Sequence, residues 1–426
     1  MTLREAGLRI LQAAIRAGDV GPLVRSALGS TDLSRHRRIL VVGAGKASGA
    51  MAQALEGVLG DRISTGLVVV KDGCTAPTRK IKLVEAGHPI PDERGLRAAN
   101  EILALARSAS ADDLVIVLIS GGGSALTPCP APPITLEEKQ ALTRLLLAAG
   151  ANINELNAVR KHCSLFKGGR LAQAASPAPV LALIVSDVIG DPLDVIASGP
   201  TAPDQTTYAD ALAILDRFGL RAKAPGAVVE HLERGARGEI PETHKADDPV
   251  FRRVQNRVIG NNSLVVEAAV REAEALGFRA SFVTSALRGE AREVAKEYCG
   301  LAAAVTPPAC LIAGGETTVT VKGKGVGGRC QEFALAAALG IQGMEDVLVL
   351  AAGTDGTDGL TDAAGALADG NTITKATRRN LDAHASLEAN DSYRFFSDLG
   401  DLITTGPTNT NLLDLYLLLV GPLPSG

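Results

Sequence analysis

The stretch Leu114–Leu126, LVIVLISGGGSAL, constrains the fold more than any other in the chain. Six of its first seven residues are apolar, which predicts a short strand buried on both faces, as in parallel sheets covered by helices. The run stops at Ser120-Gly121-Gly122-Gly123-Ser124. Three consecutive glycines let backbone amides turn outward and converge on a phosphate, with two hydroxyls as extra donors. The same arrangement, a buried strand running into a Gly- and Asp-rich turn, recurs at least four times along the chain. The expected fold class is therefore α/β.

With 426 residues and 46% hydrophobic content, the chain is long enough for two domains at a scale of about 150 residues each. Trp is absent and aromatics are only 3%, which argues against stacking platforms for nucleic acid. A net charge of -4 gives no general pull on polyanions, so any anion site must be local. Six cysteines without a C-x-x-C pair indicate neither a zinc site nor a disulfide framework. Charges at Arg4, Glu5 and Arg9 make the N-terminus an amphipathic helix rather than a signal peptide. No uncharged apolar run of about 18 residues occurs. A cytoplasmic protein without membrane or nucleic-acid partners is expected.

Arg38–Val42 runs into Gly43-Ala44-Gly45-Lys46-Ala47 and a helix to about Leu59, the order of a nucleotide-binding half. Its spacing matches neither the dinucleotide fingerprint nor the P-loop. What remains is a helix start with free amides and a lysine, Lys46, in the turn. Gly87-His88-Pro89 reads as turn chemistry rather than as a base. From Asn154 to Ala175 the pattern is helical, and Arg160 and Lys161 follow Asn157 by one turn. That makes a candidate face for an acidic ligand, against the plainer reading of a solvated basic face. Val180–Val185 ends in Ser186-Asp187, with Asp191 shortly after. A carboxylate at the carboxyl end of a parallel strand lies where open sheets bind ligands, so Asp187 is the candidate base or magnesium ligand.

Arg234–Arg253 is charged and aperiodic and reads as a linker. Beyond it, Gly314–Val321 alternates as a strand, and a glycine loop presents Arg329 at a helix start, suited to bidentate contact with phosphate or carboxylate. Val347–Ala352 then ends in a turn carrying Asp355, Asp358 and Asp362, whose hard oxygen donors suit Mg²⁺. Ile403–Asn411 is one more polar turn, ahead of the apolar LLDLYLLLV.

The turns VVGAGKAS, AGHPIPDE, SGGGSALTPCP, NAVRKHCSLFKGGRLA, SDVIGDPLDVIASGPT, AGGETTVTVKGKGVGGRCQEFALA, AAGTDGTDGLTDAAGA and TTGPTNTNLLDL occur in an order that resembles the class II glycerate kinases, over nearly the whole chain. The resemblance implies a Rossmann-like N-terminal domain, here 1–240, and a smaller C-terminal α/β domain, 241–426, with a MOFRL region at about 306–420. It implies an active site in the cleft between domains, and ATP- and Mg²⁺-dependent phosphorylation of D-glycerate giving 2-phosphoglycerate. In that family the lysine and arginine matching Lys46 and Arg329 are thought necessary for activity. Two departures are Cys330, where Asn is common, and Asn409, where Gly is usual, in the turn that keeps Thr408 and Asn411.

Residues and resemblance together assign Lys46, Arg329 and Asp187 to catalysis. Gly43, Gly45, Ser120, Gly121, Gly122, Gly123, Ser124, Thr408 and Asn411 are assigned to the nucleotide. Asn157, Arg160, Lys161 and Arg329 are assigned to glycerate, and Asp187, Asp191, Glu316 and Asp355 to the metal. The expected assembly is a monomer or homodimer. The alternative is an NAD(P)H-dependent hydroxypyruvate reductase, the label some family members carry. Against it, no acidic residue ends the second strand before Asp72, behind Lys71.

Overall fold

The computed structural model describes residues 1–29, 31–408 and 410–422. The chain divides into two compact units. One is Val20–Ile259, called the N-terminal unit; the other joins Met1–Asp19 to Gly260–Gly426 and is called the C-terminal unit.

The N-terminal unit is built on six strands: β1 (Ile39–Ala44), β2 (Ile63–Lys71), β3 (Ile81–Ala86), β4 (Leu114–Ile119), β5 (Val180–Val185) and β6 (Val254–Gly260). Their order is β3-β2-β1-β4-β5-β6, and every pair among β1 to β5 is parallel. β1, β4 and β5 are buried at each position, which is why they read as unbroken apolar runs. Leu40, Val42, Val115, Val117, Ala182 and Ile184 share one core with residues of the helices Glu93–Arg107 and Arg170–Ala175. Helix Ser48–Leu59 covers the opposite face, against β2 and β4. The strand order reverses between β1 and β4, so the connections leaving their carboxyl ends diverge and leave a crevice there.

Helices Leu136–Ala148, Ile153–His162, Tyr208–Arg217 and Gly226–Ala236 form a satellite layer around Leu142, Leu146, Leu156, Leu215 and Leu232. The helix expected over 154–175 is two helices, Ile153–His162 and Arg170–Ala175. Gly168 and Gly169 separate them, with φ of 58° and 81°, a conformation no helix continues through.

The C-terminal unit holds a mixed sheet of β7 (Arg279–Leu287), β8 (Ala309–Gly315), β9 (Val347–Gly353), β10 (Gly365–Asp369), β11 (Leu402–Ile403) and β12 (Asp414–Val420), in the order β11-β10-β9-β12-β8-β7. Only β7 and β8 pair in parallel among the described strands; the other pairs are antiparallel. The last strand, β12, slots between β8 and β9 and is buried throughout. Helix Arg329–Gly340, buried from Cys330 to Ala338, packs on β9 and β10; its small alanines permit that close approach. Helix Leu3–Ala17 packs on β9, β12 and helix Asn262–Ala275 through Ala6, Ile10, Leu11 and Ala14. Its start is closed by a capping box between Thr2 and Glu5.

The division differs from the sequence boundary near residue 240 in two respects. The first helix belongs with the C-terminal unit, because its apolar stripe is buried there. Residues 241–259 belong with the N-terminal unit, because β6 extends its sheet. The charged stretch expected as a linker therefore lies inside that unit, ending in a 3-10 turn at Pro249–Arg253. The strand expected over 314–321 is shorter, since β8 ends at Gly315 with φ of 151°. Beyond it, the Thr317 amide donates to the Tyr416 hydroxyl at 3.3 Å rather than to a strand. Among the described residues no helix is long and apolar enough to cross a membrane, and the six cysteines are free.

Candidate active site

In the N-terminal unit the carboxyl ends of β1, β4 and β5 bring one set of predicted residues together, and the turn after β3 adds His88. Gly43 lies within β1 opposite Leu118. After it, Gly45 adopts φ of 148°, and a Cβ there would stand 2.1 Å from Ser120 Oγ; only glycine permits the turn to press so closely on β4. The Gly45 amide donates to the Val69 carbonyl at 3.0 Å and the Lys46 amide to the Gly121 carbonyl at 2.9 Å. The two glycine turns are thus tied together, with the half-buried Lys46 at their junction.

Asp187 leaves β5 directly over the second turn. A Cβ on Gly121 would fall 1.9 Å from Asp187 Oδ2, and one on Gly122 would fall 3.0 Å from the His88 imidazole and 3.4 Å from Lys46 Cγ. Lysine, histidine and carboxylate therefore surround Gly121-Gly122. Burial raises the Asp187 carboxyl above its ordinary range, with the Lys46 charge opposing that rise. Burial, followed by the charges of Lys46 and Lys71, lowers His88 to about 4, so its imidazole is neutral at physiological pH. Among the described residues the amides of Gly121 and Gly122 find no protein acceptor, as an oxyanion nest requires. Gly123 is turned inward, its amide donating to the Ser120 carbonyl at 3.3 Å.

The two flanking hydroxyls are spent inside the fold. Ser120 is 1% exposed; its Oγ accepts from the Ala47 amide at 3.0 Å and lies 3.0 Å from Ser48 Oγ. Ser124 Oγ pairs with Ser198 Oγ at 2.9 Å and accepts from Lys167 Nζ at 2.9 Å. The network runs on to Asn157, whose Oδ1 accepts from Ser198 at 3.0 Å. Lys161, expected beside Asn157 and Arg160 on a ligand-binding face, instead points into the protein. It is 2% exposed and pairs with Asp194 at 3.0 Å and Asp204 at 3.2 Å. One position apart on a helix means about 100° of rotation, so Arg160 and Lys161 do not share a face. Asp191 sits in the turn after β5 with φ of 54°.

In the C-terminal unit Arg329 begins its helix and grips Asp414 in two bonds, Nε to Oδ2 at 2.6 Å and Nη2 to Oδ1 at 3.0 Å. Its Nη1 lies 3.0 Å from Glu316 Oε1. Burial opposes the guanidinium's charge, but the Asp414 carboxylate outweighs it and raises the pKa. Glu316, expected at the metal, is thereby ion-paired with Arg329. Asp358 accepts from the Cys330 amide at 3.1 Å and the Gln331 amide at 2.8 Å, closing the start of the same helix. Burial, assisted by the Asp414 charge, pushes Asp358 up to about 7.

Asp355 folds back on its own turn, Oδ1 accepting from the Thr357 amide at 3.0 Å. Thr408 Oγ1 donates to the Thr354 carbonyl at 2.6 Å, and Asn411 Oδ1 accepts from the Leu413 amide at 3.4 Å. The Thr408 bond ties its segment to the turn after β9; Asn409 lies outside the described residues. Among the described residues no three His, Cys, Asp or Glu side chains are gathered as a metal site.

Residues 7–233 match the family described as "Domain of unknown function (DUF4147)", and residues 309–414 match the MOFRL family. The chain is 42% identical to a glycerate 2-kinase of Pyrococcus horikoshii, over 99% of this chain and 98% of that one. It is 41% identical to a D-glycerate 2-kinase of Thermotoga maritima, over 98% and 99% of the two chains. The chain belongs to the glycerate kinase family.

Another family member, 40% identical over 99% of this chain and 95% of its own, is called a putative hydroxypyruvate reductase in Agrobacterium vitis. A solved glycerate kinase from Thermotoga maritima matches the structure with a TM-score of 0.91 at 40% identity, covering 98% of this chain and 99% of that chain. Two further groups carry a weak sequence signal, one in each unit. His88 was set aside as turn chemistry, although glycine before it and proline after it mark a chain held close to something. Asp414 was absorbed into an apolar run; a lone carboxylate amid LLDLYLLLV is the signal that would have found it, since a buried charge demands a partner.

Proposed function

We propose that this chain is a glycerate 2-kinase, transferring the γ-phosphoryl group of ATP to the 2-hydroxyl of D-glycerate. One juxtaposition carries the reading. The Lys46 ammonium and the Asp187 carboxylate flank two unpartnered glycine amides at the reversal point of a parallel sheet, in a chain of the glycerate kinase family. Phosphoryl transfer needs positioning and charge neutralisation more than covalent chemistry from the protein, and these groups are of that kind.

In the proposed reaction the Gly121 and Gly122 amides hold phosphate oxygens, and Lys46 offsets charge on the transferring group. Asp187, its proton affinity raised by burial, accepts the proton of the 2-hydroxyl as the new O–P bond forms and the bond to ADP breaks. Neutral His88 is placed to donate or accept a hydrogen bond at the same turn. The donor set suits Mg²⁺ carried in with the nucleotide. The Asp191 carboxylate would hold it together with the phosphates themselves, which leaves Asp187 to the proton. When bound, it supplies neutralisation of the β- and γ-phosphate oxygens.

The reductase reading lacks its ribose contact. Asp72, the acid after β2, is held bidentate by Arg94 at 2.7 and 2.9 Å. Incubation with D-glycerate, ATP and Mg²⁺, followed by ³¹P NMR, is expected to show phosphate on C2. Phosphate on C3, or NADH oxidation with hydroxypyruvate in place of transfer, would sink the proposal.

A further inference from the structure

Two lysines are buried in the N-terminal unit without a carboxylate partner, and a half-buried arginine lies near them. Lys139, on helix Leu136–Ala148, is 4% exposed and its Nζ has no hydrogen-bond partner. Lys167 is fully buried and donates to the Ser124 carbonyl at 2.8 Å and to Ser124 Oγ at 2.9 Å. Arg160 is half-buried, and its charge acts on both lysines. The nearby acids Asp194 and Asp204 are taken up by Lys161. Asn157, one helical turn before Arg160 and 3% exposed, accepts from Ser198 through Oδ1 while its Nδ2 donates to nothing.

An ammonium and an amide donor buried without acceptors, beside a second lysine buried without a carboxylate, cost stability unless an anion completes them. From these contacts we infer that Lys139, Asn157, Arg160 and Lys167 form a subsite for a small oxyanion, joined through Ser198 and Ser124 to the Gly121-Gly122 turn. Two sources share that chemistry: the carboxylate of the hydroxy acid, which the planar guanidinium and the amide suit, and a nucleotide phosphate. This inference rests on the proposed kinase activity only for the name of the acid.

The charge balance agrees with the geometry. Burial, followed by the Arg160 charge, lowers Lys139 to about 8. Burial and the charges of Lys139 and Arg160 lower Lys167 further, and burial lowers Arg160 to about 10. The other titratable groups facing the cluster are thiols, Cys129 and Cys163, both raised by burial. Arg170, beyond Cys163, is tied to the carbonyls of Lys161 and Ser164 at 2.8 Å. An arriving anion must therefore draw a proton onto the lysines.

The test uses calorimetry on the full chain at pH 8, in buffers of different ionisation heat, with D-glycerate, ADP and inorganic phosphate titrated separately. At least one is expected to bind with net proton uptake. Arg160→Gln and Lys167→Met, checked for folding by thermal melting, are expected to weaken that same ligand by about 10- to 100-fold, the scale of a charge-assisted hydrogen bond. They should leave the other ligand class within about twofold. Weakening of D-glycerate alone assigns the subsite to the carboxylate; weakening of ADP and phosphate alone assigns it to the nucleotide. Binding by wild type without proton uptake, or folded variants that bind every ligand normally, overturns the subsite. Failure of the kinase proposal reads differently, as phosphate or ADP binding with proton uptake but no phosphorylation of glycerate.

Discussion

Replacing Gly121 with alanine places one methyl group where the Asp187 carboxylate already lies. The added Cβ would stand 1.9 Å from Oδ2 and 2.5 Å from Cγ. Carbon and oxygen without a bond settle at about 3.4 Å, so the carboxylate must retreat by roughly 1.5 Å. Gly121 is outside the left-handed region, so the backbone accepts alanine and the displacement falls on Asp187. A misplacement on the order of 1 Å at a reacting group costs about 100-fold in rate, equivalent to about 2.7 kcal/mol of barrier. Stability should fall much less, since burial already disfavours this carboxylate. The assay is coupled ADP release at saturating D-glycerate and ATP, with thermal melting in parallel. Gly57→Ala is the control: it lies in helix Ser48–Leu59 with nothing within 4 Å of the new atom. It should keep full turnover and gain up to about 1 kcal/mol in helix propensity. A folded Gly121→Ala enzyme turning over within twofold of wild type would refute a role for Asp187 at that position.

Lys46→Met and Arg329→Met should each lower kcat by about 1,000-fold or more in the same assay; either variant keeping a tenth of normal turnover removes that side chain from the chemistry. Asp414→Asn loosens the two-bond grip on Arg329. It should cost about 3 kcal/mol on melting as well as turnover, and an unchanged melting temperature would show that the pair orients nothing. Asp358, at about 7 in the fold against an ordinary 3.8, contributes stability fully present below the lower value and lost as pH rises through the higher. Wild type should therefore lose on the order of 2 to 3 kcal/mol relative to Asp358→Asn between pH 5 and 8. Parallel denaturant midpoints across that range would contradict the buried protonated acid.

Strands β1, β4, β5 and β9 were legible because burial on both faces demands an unbroken apolar run, a local signal; LLDLYLLLV reads equally as strand or helix, and only the sheet makes it β12. Lys46, Gly121 and Asp187 were legible for a related reason. Each ends such a strand, and parallel strands put their carboxyl ends on one edge. Hydroxyl and charge assignments fared differently, since they depend on what packs against each side chain. Ser120 reads as a phosphate donor, but the Ala47 amide and Ser48 take its oxygen. Lys161 reads as a ligand contact beside Arg160, yet the helix turns it toward Asp194 and Asp204. Lys139 carries no local signal of its own, yet it is buried.

The amino-acid sequence alone determined the α/β class, the glycine- and aspartate-rich strand ends and the family, because each is written in contiguous runs of residues. Tertiary structure decided which groups meet. Asp414 reaches Arg329 across 85 residues only because β12 inserts between β8 and β9, and the first helix joins the last strands because its apolar stripe finds its cover there. Such pairings follow from long-range burial and strand order, which no local pattern encodes.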